Sequence, residues 1–202
     1  MAHTSRLTAP SKRLSTVKLD IEYVDPSALV RVSRHDTGEP YFGRSGGCRF
    51  DDPLKSFGTC YLGFNLTVAF AESVLHDLSP VRGRFSVPVT EVSGRFALAF
   101  QGPKLKLAKL YGTSLLRLGG NGELSGTARY RLPQAWSVAI EAHPDAVDGF
   151  LYMSRRVNNE LAVVLFHRPG TAPSPMTMHH AVQLHHHTNF VDVINDLGIT
   201  LT

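Results

Sequence analysis

Residues 59–77 constrain the fold more than any other stretch, because they read as a strand feeding directly into a capped helix. Thr59-Cys60-Tyr61-Leu62-Gly63 is apolar and β-prone, and Asn65 is suited to accept the first free N–H of a helix over residues 66–77. That helix is apolar for its first turn and a half and then carries Glu72, on a face otherwise made of Val68, Ala69 and Leu75. On a solvated edge Glu72 would pair with His76 one turn on. On a face bordering a cleft it would be a group with chemistry to do.

The remaining segments fall around this unit without a steady strand–helix alternation. Residues 28–35 read as a short strand bearing Arg31, and residues 36–47, rich in glycine and proline, as a loop. Residues 83–92, 95–100, 149–154 and 161–168 read as strands, residues 104–112 as a strand or short helix, and residues 134–143 as a helix. The expected class is α+β with a mostly antiparallel sheet.

The chain has 202 residues and is 43% hydrophobic, enough for one domain with a real core, here expected over residues 17–202. Residues 1–16 are polar and basic and are expected to form a flexible arm. The formal charge is +4, which suits an anionic ligand or partner. Cys48 and Cys60 do not make a disulfide framework and read as two thiols in a reducing compartment. Residues 1–20 lack the apolar stretch of a signal peptide, and no apolar run approaches the ~20 residues of a membrane span, so a cytoplasmic protein is expected.

Several motifs are missing. There is no G-x-G-x-x-G, no Walker loop and no nucleophile-elbow pentapeptide. Gly43, Gly46 and Gly47 suit an ordinary turn better than a phosphate cradle. Histidines at 179, 180, 185, 186 and 187 form a cluster, but without the acidic or cysteine companions at ligand spacing that a zinc site uses; no metal is expected.

Beside Glu72, the strand ends and loops offer Arg31, Arg49, Tyr61 and Ser154. Each has an ordinary explanation: a surface ion pair for Arg31, pairing with Asp51 or Asp52 for Arg49, a satisfied core hydroxyl for Tyr61, a strand end for Ser154. Together they are compatible with one chemistry. Guanidinium forks match pyrophosphate oxygens. A tyrosine stacks on or hydrogen-bonds a ring or ribose. Ordinary glycoside hydrolysis needs a second carboxyl group to protonate the leaving oxygen. Nicotinamide leaves neutral from a cationic N-glycoside, so one carboxylate is a sufficient kit for cleaving NAD+.

The order of Arg31, "FGRSGGCRFDDP", "YLGFNLTVAFAES" and "DGFLYMSRRVNNELAVVLF" resembles the RES-domain family of toxins from bacterial toxin–antitoxin pairs, over residues 28–168. The family is named for its Arg, Glu and Ser. The resemblance implies an ADP-ribosyltransferase-like fold and an activity that consumes NAD+ as glycohydrolase, phosphorylase or ADP-ribosyltransferase. Carried over by position, Arg31 and Arg49 would hold phosphates and Tyr61 would contact the nicotinamide ribose. Glu72 would bind a ribose hydroxyl and stabilise the oxocarbenium, and Ser154 would position the nicotinamide end. Tyr41 and Asn159 are expected as further wall residues. Two departures stand out: "GGCRFDD" replaces the Gly-Gly-Arg-Trp-Asn of many members, and Val32 follows Arg31 where some members have an aromatic residue.

The resemblance also implies an antitoxin with an Xre-like helix-turn-helix, and leaves water, phosphate or a protein side chain as acceptor of ADP-ribose. A homodimer would be ordinary. Two other classes compete: a non-enzymatic basic module for nucleic acid, whose one short candidate patch is "KLKLAK", and a metal-dependent enzyme built on the histidines.

Overall fold

The computed structural model describes residues 6–170 and 174–202. In chain order its strands are β1 (Ile21–Val24), β2 (Val30–Ser33), β3 (Gly58–Gly63), β4 (Phe85–Val87), β5 (Phe96–Gln101), β6 (Leu105–Lys109), β7 (Gly149–Met153), β8 (Leu161–His167), β9 (Thr177–Gln183) and β10 (Ile199–Leu201). Its α-helices are α1 (Leu66–Ser73), α2 (Val89–Ser93), α3 (Gly112–Arg117), α4 (Glu123–Gly126), α5 (Arg131–Glu141) and α6 (Phe190–Asp196). Eight strands form one sheet in the order β1-β6-β7-β8-β3-β2-β5-β9, and β4 pairs with β10 in a second. In the large sheet only β6 and β7 run parallel, so the class is α+β with a mostly antiparallel sheet.

The alternation of side chains along the central strands explains why the sheet is buried on both faces. Cys60, Leu62, Leu98, Leu107, Leu151, Val163 and Leu165 share one core, contributed by strands from both halves of the sheet, which curls around it. On the opposite face Phe150, Tyr152, Val164 and Phe166 pack under Trp136 and Ile140 of α5. Further along, Val32 and Ala97 pack under Phe70 of α1 and Phe190 and Val193 of α6. Helix α1 therefore sits where the two outer cores meet, against β2, β3 and β8.

Asn65 caps α1 as expected, its carboxamide oxygen accepting the Val68 N–H at 2.9 Å. Gly63 makes the close approach of strand and helix feasible: a Cβ there would stand 2.6 Å from the Ala69 nitrogen and 2.8 Å from Val68 Cβ.

Several expectations need correction. Helix α1 ends at Ser73 rather than residue 77. The strand expected over 83–92 stops at Val87, where Pro88 cannot donate to a ladder and instead precedes α2. Residues 6–16 are not a free arm: Leu7 and Leu14 are buried, the Leu7 N–H donates to Glu123, and Trp136 Nε1 donates to the Thr8 carbonyl. Residues 1–5 of the expected arm lie outside the described residues. Strand β9 reads poorly in sequence because it is an edge strand, paired only with β5 and largely exposed, and it carries His179 and His180 where apolar residues would announce a strand. Among the described residues no helix is long and apolar enough to cross a membrane.

Candidate active site

Strand β2, the loop after it, β3 and α1 wall a cleft of about 610 Å³. Arg31, Tyr61 and Glu72 line it, with Tyr41 at the rim, 60% exposed. The volume lies within the range of small-molecule sites.

Glu72 is held at both oxygens. Tyr152 donates its hydroxyl to Oε2 at 2.7 Å, and Ser154 donates to Oε1 at 2.7 Å. Both donors are almost fully buried and, two residues apart, project from the same face of β7 and its extension. Burial, and then the Glu72 charge, push the Tyr152 phenol well above its ordinary pKa, so it remains a donor. The expected Glu72–His76 pair does not form. The helix ends before residue 76, and His76 lies instead beside Asp77, with its ring 5.9 Å from that of Tyr130.

Arg31 is pinned on two sides. Its Nε lies 3.0 Å from Glu39 Oε2, and its Nη1 donates to Cys60 Sγ at 2.8 Å and to the Tyr61 carbonyl at 3.4 Å. The Glu39 side chain is only 1% exposed and accepts further bonds from Ser33 Oγ and the Tyr41 N–H. Arg31 thus brings directional donors to the cleft wall with its charge already balanced. Burial pushes the Cys60 thiol up to about 11, so it stays protonated.

Tyr61 reaches away from β3 to accept the Phe50 N–H at 2.9 Å and donate to Asp51 at 3.3 Å. Asp51 also accepts from Thr59 Oγ1, Ser45 Oγ and the Cys48 N–H, and so organises the glycine-rich loop. The Gly47 and Cys48 N–H groups are taken by Ser45 and Asp51, and Gln134 of α5 donates to the Gly46 and Cys48 carbonyls. This is the hydrogen bonding of a structural turn.

Of the other expected residues, Arg49 is buried, with Nη1 donating to the Thr127 carbonyl at 2.6 Å and its guanidinium 4.9 Å over the Tyr130 ring. It pairs with neither Asp51 nor Asp52. Burial lowers its pKa from the ordinary arginine value. Asn159 does not join the cleft: it lines a separate depression with Asn65, Thr67 and Asp196. Among the described residues no three His, Cys, Asp or Glu side chains stand together as a metal site. Tyr152, Glu39 and His76 were not singled out as site residues from sequence. Tyr152 had a signal, since on a strand the residue two before Ser154 faces the same way; Glu39 and His76 sit in irregular segments that give no facing direction.

The site therefore offers one carboxylate fixed by two neutral hydroxyls at the wall of a cleft that Arg31, paired with Glu39, also lines. Such a carboxylate can stabilise positive charge developing on a bound molecule. The structure is similar to a chain in the crystal structure of the M. tuberculosis MbcT–MbcA toxin–antitoxin complex, with a TM-score of 0.60, 13% identity, and coverage of 93% of this chain and 98% of that chain. No curated protein matches the sequence. The model of the RES domain matches residues 28–186, which include Arg31, Glu72, Tyr152 and Ser154, and the chain belongs to the RES domain family.

Proposed function

We propose that this chain is the toxin of a bacterial toxin–antitoxin pair and cleaves the nicotinamide–ribose bond of NAD+. The observation that carries the reading is the Glu72 carboxylate, fixed by Tyr152 and Ser154 at the wall of a cleft sized for a ligand. In this mechanism the C1′–N bond breaks and its electron pair leaves with nicotinamide as a neutral molecule. Positive charge develops on the ribose, and Glu72 stabilises it through charge and a ribose hydroxyl contact. No general acid is required at the leaving group. An oxygen of water, phosphate or a protein side chain then bonds to C1′, and a water or hydroxyl acceptor releases its proton to solvent.

Arg31 holds the substrate by directional hydrogen bonds, because Glu39 balances its charge. Tyr41 and Tyr61 wall the cleft around it. Ser154 acts on the reaction through Glu72, its hydroxyl being bonded there. The partner is an antitoxin covering the cleft, with an Xre-like helix-turn-helix, and the pair works in the cytoplasm. The fold neighbour, from a toxin–antitoxin complex, supports the pairing.

The test is release of nicotinamide from NAD+ by the purified chain in buffer, with added phosphate, and with cell lysate, and with Glu72→Gln as control. Release by the wild type, cut by about a thousandfold or more in the variant, is the expected result for loss of the charge-stabilising group. No release from folded protein under any of the three conditions would rule the reading out.

A further inference from the structure

We infer that Tyr152 is a positioning residue for Glu72: its hydroxyl, with that of Ser154, makes β7 rather than helix α1 the element that places the carboxylate. The inference rests on the reading of Glu72 given above, and it adds a residue that acts on the reaction without touching the substrate.

Helix α1 is two turns long and Glu72 lies in its last turn, where helices fray. A glutamate side chain also has several rotatable bonds whose freedom is lost on being fixed. The neighbouring Ser73 bonds back to the Ala69 carbonyl and gives Glu72 no support. Among the described residues, the side-chain hydrogen bonds that hold the carboxylate come from across the chain, from Tyr152 and Ser154.

Tyr152 is the stiffer anchor. It is 1% exposed, and its ring packs edge-on against Phe50 at 4.7 Å and Phe150 at 6.0 Å. Phe50 is itself fixed by its backbone: its N–H goes to Tyr61 Oη and its carbonyl accepts from Ser137 Oγ at 2.6 Å. Glu72 is thereby linked to Tyr61 through one aromatic contact and two hydrogen bonds. A seryl hydroxyl, by contrast, turns on a single torsion.

The variants are Tyr152→Phe, Ser154→Ala and both together, with kcat and KM for NAD+ measured by nicotinamide release and folding checked by melting. Tyr152→Phe keeps the ring and its packing, so Tm should change little. Its kcat should fall by about 10- to 100-fold with KM within about threefold, since a misplacement near 1 Å has an effect of that size. The double variant should lose more than the product of the single losses, because either hydroxyl alone still tethers the carboxylate. A kcat for Tyr152→Phe within about twofold of wild type would overturn the inference.

A second measurement needs no substrate. In protein carrying tyrosine labelled with 13C at Cζ, the Tyr152 phenol should stay protonated past pH ~10, and Glu72→Gln should bring its titration down by removing the facing charge. An unchanged titration would show that the contact is absent. A wild type that releases no nicotinamide, yet whose Tyr152 titration responds to Glu72→Gln, would overturn the NAD+ reading and leave the positioning intact.

Discussion

At the scale of single residues, the central fact is how fully the polar groups around the cleft are already engaged. Glu39 is the clearest case: nearly inaccessible, it answers Arg31 while accepting from Ser33 and Tyr41. Removing one member of such a pair leaves the other charge desolvated without its partner, which is worse than removing both. Glu39→Gln should therefore destabilise the protein by about 3 kcal/mol in urea titration, and Arg31→Gln/Glu39→Gln by less than the single variant. A double variant less stable than Glu39→Gln would mean that the pair has no such coupling. The same burial gives a pH signature. Cys48 and Cys60 are held up to about 11 from 9.0, by burial first, and Tyr61 and Tyr152 are raised well above 10.0. Above these ordinary values the unfolded chain loses protons that the folded chain keeps, so stability is full below pH ~9 and falls as pH rises. Tyr61→Phe/Tyr152→Phe should flatten the part of this decline above pH ~10, measured as Tm against pH.

At the scale of elements, the β3–α1 unit was the most legible part of the chain, because its signals are local. Asn65 marks the cap and the apolar run marks the strand, whereas the near contact of strand and helix backbones at Gly63 came only with the structure. Gly63→Ala sets a methyl group against the Ala69 nitrogen and Val68, neither of which is a flexible tip. It should cost about 1–3 kcal/mol of stability and, by pushing α1 outward, reduce Glu72-dependent activity beyond what the stability loss predicts. Activity retained in full at a temperature where the variant is folded would count against this tie between helix position and chemistry. Asn65→Ala, which only removes a cap, should cost about 1 kcal/mol and leave kcat close to wild type. Elements lacking local signals were the ones missed. Strand β9 is a polar edge, and β10 is a three-residue strand whose pairing with β4 joins residues more than a hundred apart.

At the scale of the whole molecule, the N-terminal segment shows how composition misleads. Its polar and basic residues suggested a flexible arm, yet Leu7 and Leu14 are in the core and His143 Nε2 lies 3.1 Å from both the Leu14 and Val17 carbonyls. Deleting residues 1–16 should lower Tm by several degrees and shift Trp136 fluorescence to the red, because the indole loses its cover and its Thr8 partner. An unshifted emission would restore the arm. The class of fold and the capped helix were readable from the sequence, since they depend on period and capping chemistry, and the candidacy of Arg31, Tyr61, Glu72 and Ser154 came from the resemblance of their order and surrounding motifs to the RES-domain family. The grip of Tyr152 on Glu72, the pairing of Arg31 with Glu39, the turning of Arg49 toward Thr127 and Tyr130, and the exclusion of Asn159 from the cleft were not. Each depends on which faces of β2, β3, β7 and α1 are brought together, and that is set by long-range strand pairing and the burial of three shared cores.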